Sequence, residues 1–186
     1  MSLRCAIMTA LMERPSNGRE LTNRFDRSIG YFWDATHQQI YRELGRMADE
    51  GLIRLTASQE KGRGAPRTYE ITEAGKQYLR RWVLEGQEPV PVRDPLLVRL
   101  RAAAALGGID MSDQLRRHVD YHRSLLETYR RIEDRDFDRP LKTRRERLQY
   151  LILQAGIETE QAWARWSAKA AEQLSVQRRG ISRRSR

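Results

Sequence analysis

The sequence predicts a mainly helical chain in two parts: three helices, a β-hairpin and a linking helix, then three further helices with the longest last. Three observations carry this. Residues 3–84 pass through three helix-period segments, switch to a strand period around a glycine-proline turn, and return to a helix period. Three prolines crowd positions 89–95 and forbid a regular helix there. Beyond them an apolar stripe at 3/4 spacing persists over 143–174, roughly eight turns at 3.6 residues per turn.

The first helix spans 3–13, where Leu3, Ile7, Ala10 and Leu11 share a face, and Arg14-Pro15-Ser16-Asn17-Gly18 breaks it. A second runs over about 19–28 with Leu21 and Phe25 inward, followed by an aromatic connector at 29–34 that packs between helices. The third covers 35–50. Ile40, Leu44 and Met47 recur at i, i+4, i+7, the spacing of one buried stripe. The opposite face carries Gln38, Arg42, Gly45 and Arg46, flanked by Gln39 and Tyr41, with no carboxylate at its centre. Thr36 is placed to cap its start and Gly51 to close its end, and His37 falls nearer the buried side. Alone, this helix reads as any amphipathic surface helix.

Its neighbours change that reading. Positions 52–57 alternate like a strand, 59–67 form a turn with two glycines and a proline, and 68–71 resume the strand. Lys61, Arg63 and Arg67 decorate the turn. Thr72 caps a fourth helix with Ala74, Tyr78, Leu79 and Trp82 inward. Three helices followed by a basic hairpin and a linking helix is the order of a winged helix-turn-helix. In that arrangement the third helix enters the major groove, and the hairpin tip carries cations to the phosphate backbone.

The domain expectation is therefore 1–84 for DNA binding, 85–93 as linker, 94–177 as a three-helix dimerisation or effector domain, and 178–186 as a basic disordered tail. Asp94 caps the fifth helix with Pro95 at its first position; Leu97, Leu100 and Ala104 line it with Val98 at the margin, and Gly107-Gly108 stop it. Ser112 caps a sixth helix running to about 134, with Leu115, Val119, His122, Leu125, Leu126, Tyr129 and Ile132 inward. The stripe of the seventh contains Leu148, Leu151, Ile152, Ala155, Thr159, Ala162, Trp163, Trp166 and Ala170. One neighbouring helix cannot cover so long a stripe. A homodimer is expected, with Leu148, Leu151, Ile152, Ala155, Ala162, Trp163 and Trp166 at its interface.

Charge narrows the partner. The formal net charge is +10, and the last nine residues hold five arginines and no acid, half of the excess. Double-stranded DNA is the expected polyanion, and a solvated tail is compatible with it. The single cysteine, Cys5, rules out an intramolecular disulfide and a cysteine-built zinc site, and fits a cytoplasmic, nucleoid-associated protein. No run reaches the ~20 apolar residues of a membrane span, and the N-terminus has no signal-type cleavage site. Gly-x-Ser-x-Gly, Walker and His-Glu-x-x-His motifs are missing, so neither an enzyme nor a cofactor is expected. His118 and His122 have the i, i+4 spacing of a chelating pair but no evident third ligand, so they read as surface or interface histidines and no metal is expected.

Gly18-Arg19-Glu20-Leu21, His37-Gln38-Gln39-Ile40-Tyr41-Arg42-Glu43-Leu44, Glu50-Gly51-Leu52-Ile53, and the hairpin string from Gly62 through Arg67-Thr68-Tyr69-Glu70-Ile71-Thr72-Glu73-Ala74-Gly75 resemble the PadR family of bacterial transcriptional regulators. The resemblance covers 3–84 well, and the C-terminal half matches long-form members in helix pattern and length. It implies a homodimeric repressor on an inverted-repeat operator, released in some relatives by small aromatic molecules. Members commonly carry proline after the tyrosine of the third helix. Here Arg42 stands at that position, restoring a backbone donor and adding an outward cation.

The DNA candidates are Thr36, Gln38, Gln39, Tyr41, Arg42 and Arg46 from the helix and Lys61, Arg63 and Arg67 from the hairpin. Amides pair with adenine and guanidiniums with guanine, and Thr36 sits where a helix start can hold a phosphate. Tyr121, Tyr129, Tyr150, Trp163 and Trp166 are candidates for an aromatic effector pocket, with dimer packing as the competing role for the tryptophans. The alternative function is a basic, sequence-indifferent architectural DNA-binding protein whose long helices recruit a partner.

Overall fold

The computed structural model describes residues 2–26, 35–56, 67–89 and 91–182. The elements are α1 (Ser2–Glu13), α2 (Gly18–Asp26), α3 (His37–Asp49), β1 (Ile53–Thr56), β2 (Thr68–Ile71), α4 (Glu73–Leu84), α5 (Pro95–Leu106), α6 (Ser112–Phe137) and α7 (Arg144–Ser182). They fall into two compact units, Met1–Pro89 and Val90–Arg186. This is the mainly helical, winged-helix architecture that the pattern of periods predicts. The aromatic connector and the hairpin tip with Lys61 and Arg63 lie outside the described residues.

The core of the first unit forms where α1, α3 and β1 meet. Ile7, Met8, Leu11, Leu21, Ile40, Leu44, Met47 and Ile53 are fully buried there, and Tyr78, Leu79 and Trp82 of α4 pack on it. The helix ends are chemically specified. Asn17 Oδ1 accepts the Glu20 N–H at the start of α2 (2.9 Å). Thr36 and Gln39 form a reciprocal capping box on α3. At its end Gly51 takes φ +70°, and its N–H reaches Ala48 O while the Leu52 N–H reaches Met47 O. That 5→2 and 6→1 pair turns the chain out of the helix and straight into β1.

β1 and β2 pair antiparallel, with Ile53 opposite Ile71 and Arg54 opposite Glu70. Ser16 adds a third position to this sheet by exchanging backbone hydrogen bonds with Tyr69 (3.2 and 2.9 Å). The residues that break α1 thus also fasten its end to the hairpin. On α4 the inward row differs from the expected one, because Ala74 is exposed and Gly75 is buried. A Cβ on Gly75 would stand 2.2 Å from Leu52 O, so the row is Gly75, Tyr78, Leu79 and Trp82.

The second unit is built on the long hairpin of α6 and α7. The inner row of α7 is Leu153, Ile157, Glu160, Ala164, Ser167, Ala171 and Leu174, a strict 4/3 alternation against α6. Leu115, Val119, His122 and Tyr129 are the buried residues facing it. The expected stripe is therefore not the inner one. Leu148, Leu151, Ile152, Ala155, Thr159, Ala162 and Trp166 stay exposed, and Trp163 is half-buried within the chain. Two polar positions, Glu160 and Ser167, disguised the true seam, and they are inside because α6 answers them with His122 and His118.

Other details differ for similar reasons. On α5 the inward residues are Leu96, Leu100 and Ala103, packed with Met111, Leu115, Ala171 and Leu174, while Leu97, Val98 and Ala104 are exposed. Asp94 does cap α5, accepting the Leu96 N–H at 2.7 Å. Ser112 does not cap α6; it is the first helical residue, and Asp110 accepts its N–H at 2.9 Å. α6 runs on to Phe137, whose ring meets Tyr150 with centroids 5.2 Å apart. α7 starts with a capping box in which Thr143 and Glu146 each accept the other's backbone N–H. Those hydrogen bonds, with the Arg139 guanidinium, hold the Glu146 carboxyl down at about 2. The helix continues through 178–182, part of the expected disordered tail, running on through Gly180 with no proline to stop it. No helix among the described residues is long and apolar enough to cross a membrane.

Candidate nucleic-acid interface

The structure brings the third-helix candidates onto one outward surface. Gln38, Gln39, Tyr41, Arg42 and Arg46 are all exposed on α3 while Ile40, Leu44 and Met47 face the core. Thr36 and Gln39 are partly committed: the Thr36 hydroxyl accepts the Gln39 N–H (3.2 Å), and Gln39 Oε1 accepts the Thr36 N–H (2.9 Å). The Gln39 amide NH₂ takes no part in that box. Arg42 has no ion-pair partner among the described residues, and Arg46 approaches only Glu43, at 3.7 Å. His37, expected nearer the buried side, is exposed, because as first residue of α3 it extends past the edge of the core.

What local sequence could not reveal is the disposal of the helix's acids. Glu43 and Glu50 flank the polar surface, and both are held by Arg4 of α1. The Arg4 Nε donates to Glu43 Oε1 at 2.9 Å, and its two terminal nitrogens donate to the Glu50 oxygens at 2.7 and 2.8 Å. These bonds raise the Arg4 pKa, so the cation is permanent. One fork thereby engages two carboxylates and offsets about half of the charge with which they would otherwise repel a polyanion. Arg4 also lies 5.8 Å from the Tyr78 ring centroid, tying α1 to α4 as well.

Two further residues support the surface. Tyr41 rests on Gly18, the first residue of α2, so closely that a Cβ there would come within 2.4 Å of the tyrosine Cε1. Its ring is thus braced across both helices of the helix-turn-helix. Arg24 donates to Ala10 O, Arg14 O and Ser16 Oγ, closing the end of α1 where the Ser16 bridge begins. On the hairpin, Arg54 pairs with Glu70 across the strands, while Arg67 at the base of the tip is exposed.

The aromatic effector candidates do not gather. Trp163 lies edge-on to Trp166 (5.4 Å) and stacks on His122 (5.8 Å, 11° between planes), and Tyr121 also meets His122 (5.2 Å). Tyr129 is buried against Gly156, and Tyr150 donates to Glu133 near the end of α6. Tyr121 and Glu133 are separated by about 18 Å at 1.5 Å per helical residue, too far for one small-molecule pocket. His118 and His122 touch each other (4.4 Å), but His118 Nδ1 faces Ser167 Oγ and His122 Nδ1 faces Glu160. No group of three or more metal-ligating side chains occurs among the described residues.

Residues 7–81 match the transcriptional regulator PadR-like family, and residues 92–175 match the family described as virulence activator alpha C-term. A probable transcriptional regulator of Mycobacterium tuberculosis, Rv1176c, is 38% identical over 96% of this chain and all of its own length. The negative transcriptional regulator PadR of Bacillus subtilis is 28% identical over 88% of this chain and 92% of its own. Among solved structures, the Vibrio cholerae virulence activator AphA superposes with a TM-score of 0.76 at 31% identity, covering 94% of this chain and 99% of AphA. Bacillus subtilis PadR in complex with operator DNA superposes at 0.78 and 24% identity with the same coverage, and has also been solved in complex with p-coumaric acid.

Proposed function

The chain belongs to the PadR-like family of transcriptional regulators, and we propose that it acts as a homodimeric repressor that binds an inverted-repeat operator in double-stranded DNA. Its family consists of regulators rather than enzymes. The observation that carries the reading is the outward face of α3. It presents amides, a braced phenol and the Arg42 guanidinium, which has no acidic partner among the described residues, and the two neighbouring carboxylates are tied to Arg4. Such a face suits the base edges and phosphates of a major groove.

In this reading Gln38, Gln39, Tyr41, Arg42 and Arg46 read the groove, Thr36 lies at the helix start beside a phosphate, and Lys61, Arg63 and Arg67 follow the backbone outside it. Two copies joined through the exposed stripe of α7 would present two α3 helices about one DNA turn apart, ~34 Å. Repression is supported by the Bacillus subtilis relative being a negative transcriptional regulator, and a small aromatic effector by the p-coumaric acid held in its structure. Of the aromatic candidates, Tyr121, Trp163 and Trp166 remain together as the group that such a ligand would meet; repositioning of the two α3 helices would then release the DNA.

The test is binding of the protein to fragments of its own neighbouring promoters in the presence of genomic competitor DNA. A repressor holds its operator against a large excess of competitor and blocks transcription from it. Loss of the complex to bulk DNA supports the architectural alternative instead. Phenolic acids that quench tryptophan fluorescence and release the operator in parallel support the effector; quenching without release removes it.

A further inference from the structure

An open cleft of about 470 Å³ lies between the start of α5 and the early turns of α6, within the size range of small-molecule sites. We propose that this cleft binds a small organic dianion, a phosphate monoester or a dicarboxylate, through Arg99 of α5 and Arg117 of α6. The site is centred on Arg99 and Arg117, shares Tyr121 alone with the aromatic group discussed above, and holds whatever the sign of regulation.

The argument is one of unspent charge. Three arginines of α6 and the turn after it are ion-paired: Arg116 with Asp113, Arg135 with Asp136 and Arg139 with Glu146. Arg99 and Arg117 line the cleft, and neither has an acidic partner among the described residues. The single carboxylate in the lining, Asp94, is already occupied. Its Oδ1 caps α5 at the Leu96 N–H, and its Oδ2 lies 4.0 Å from His118 Nε2. Two guanidiniums against one engaged carboxylate leave a net positive cleft in which each planar fork can take an oxyanion with two parallel hydrogen bonds.

The remaining lining completes the chemistry. Gln114 adds a neutral donor, and His118 is held from behind by Ser167 (3.1 Å). Pro95, Leu96 and the exposed ring of Tyr121 give a short apolar wall for a carbon body. Because the mouth is open, recognition rests on the double charge more than on enclosure. A ligand held by Arg99 and Arg117 together would pin the N-terminal part of α5 to α6, and α5 begins directly after the 85–94 segment that leads from α4.

Isothermal titration of the full chain with phenyl phosphate, inorganic phosphate and succinate at fixed ionic strength, with phenol as neutral control, tests this. Saturable binding of at least one anion at one site per chain is expected, with none for phenol. Preference for phenyl phosphate assigns a phosphate monoester, and preference for succinate a dicarboxylate. The Arg99→Ala, Arg117→Ala double variant should lose affinity by at least about tenfold, while Arg116→Ala, which removes a paired cation beside the cleft, should keep it. Should the double variant fail to fold, the wild-type imidazole resonances decide: His118 signals that shift in step with binding support the cleft, and signals that stay still overturn it. The proposal is also overturned by the absence of saturable anion binding, by equal losses in the Arg116 variant, or by a double variant that loses promoter DNA without any added anion.

Discussion

The outward faces of α3 and α7 are both helix surfaces left uncovered among the described residues, and they are opposite in chemistry. On α3 the exposed row is polar, its ends are capped by Thr36 and Gly51, and its carboxylates are withdrawn by Arg4. On α7 the exposed row is apolar: Leu148 is 51%, Leu151 58%, Ile152 53% and Trp166 37% exposed. A row of that kind, several turns long, belongs against protein. The contrast shows how exposure alone says little about role. What distinguishes the faces is whether the exposed groups are better satisfied by a hydrated polyanion or by an apolar surface out of water.

The comparison can be broken most sharply on α7. If the copies join as proposed, Leu151→Asp combined with Ile152→Asp should leave helix content intact, give a monomer in sedimentation where wild type gives a dimer, and lower operator affinity by roughly 10²–10⁴-fold, the gain from linking two half-sites. A variant that sediments as wild type would show that another face joins the copies. On α3, Arg42→Ala should weaken a specific operator by ~1–3 kcal/mol while changing non-specific binding less. Arg67→Ala should instead reduce the slope of log affinity against log salt by about 0.9, and Lys61→Ala with Arg63→Ala should flatten it further. Equal losses on all sequences would make Arg42 a phosphate contact.

The Arg4 prediction sharpens the contrast from the inside. Arg4→Ala strands Glu43 and Glu50, two carboxylates with no other hydrogen bond of comparable length among the described residues. Urea denaturation should show a loss of about 1.5–3 kcal/mol, the worth of hydrogen bonds to charged groups. DNA affinity should fall most at low salt, where the freed acids repel the duplex best. An unchanged salt profile would confine Arg4 to the core.

The smallest effect concerns the inner seam of α7. Burial, and then the neighbouring His122, push the His118 pKa below the ordinary 6.5, against the opposing pull of Asp94 and Glu160. The folded state therefore favours the neutral ring, and the unfolded chain binds more protons between the two values. Stability should be full above about pH 6.5 and decline as the pH falls through that value toward the lower folded one. Thermal unfolding at pH 7.5 and 5.5 should show the decline, and His118→Gln should remove that part of it. A slope that persists in the variant would assign it to other groups.

Much of the fold was legible because it is written in local patterns. The buried row of α3, the caps at Thr36, Thr72 and Asp94, and the hairpin after Gly51 all follow from spacing and from residues that satisfy nearby backbone groups. Legibility failed where more than one face was apolar. Leu96, Leu97 and Val98 are consecutive, so periodicity could not choose among them, and only the Met111 and Leu115 surface of α6 selects Leu96. On α7 the pattern picked the greasier row, whereas the inner row contains Glu160 and Ser167, acceptable inside only because His122 and His118 meet them.

By itself, then, the sequence determined the order of elements, the family and the side chains offered to a groove, because helix periods, caps and turns are decided within a few residues. Only the tertiary structure decided which apolar row of α7 is left exposed, that Arg4 engages Glu43 and Glu50 from 39 and 46 positions away, and that Gly18 seats Tyr41. Those outcomes depend on distances between segments remote in the chain. An ion pair or a close packing contact forms only after the core has brought its two sides together, and no local pattern encodes that meeting.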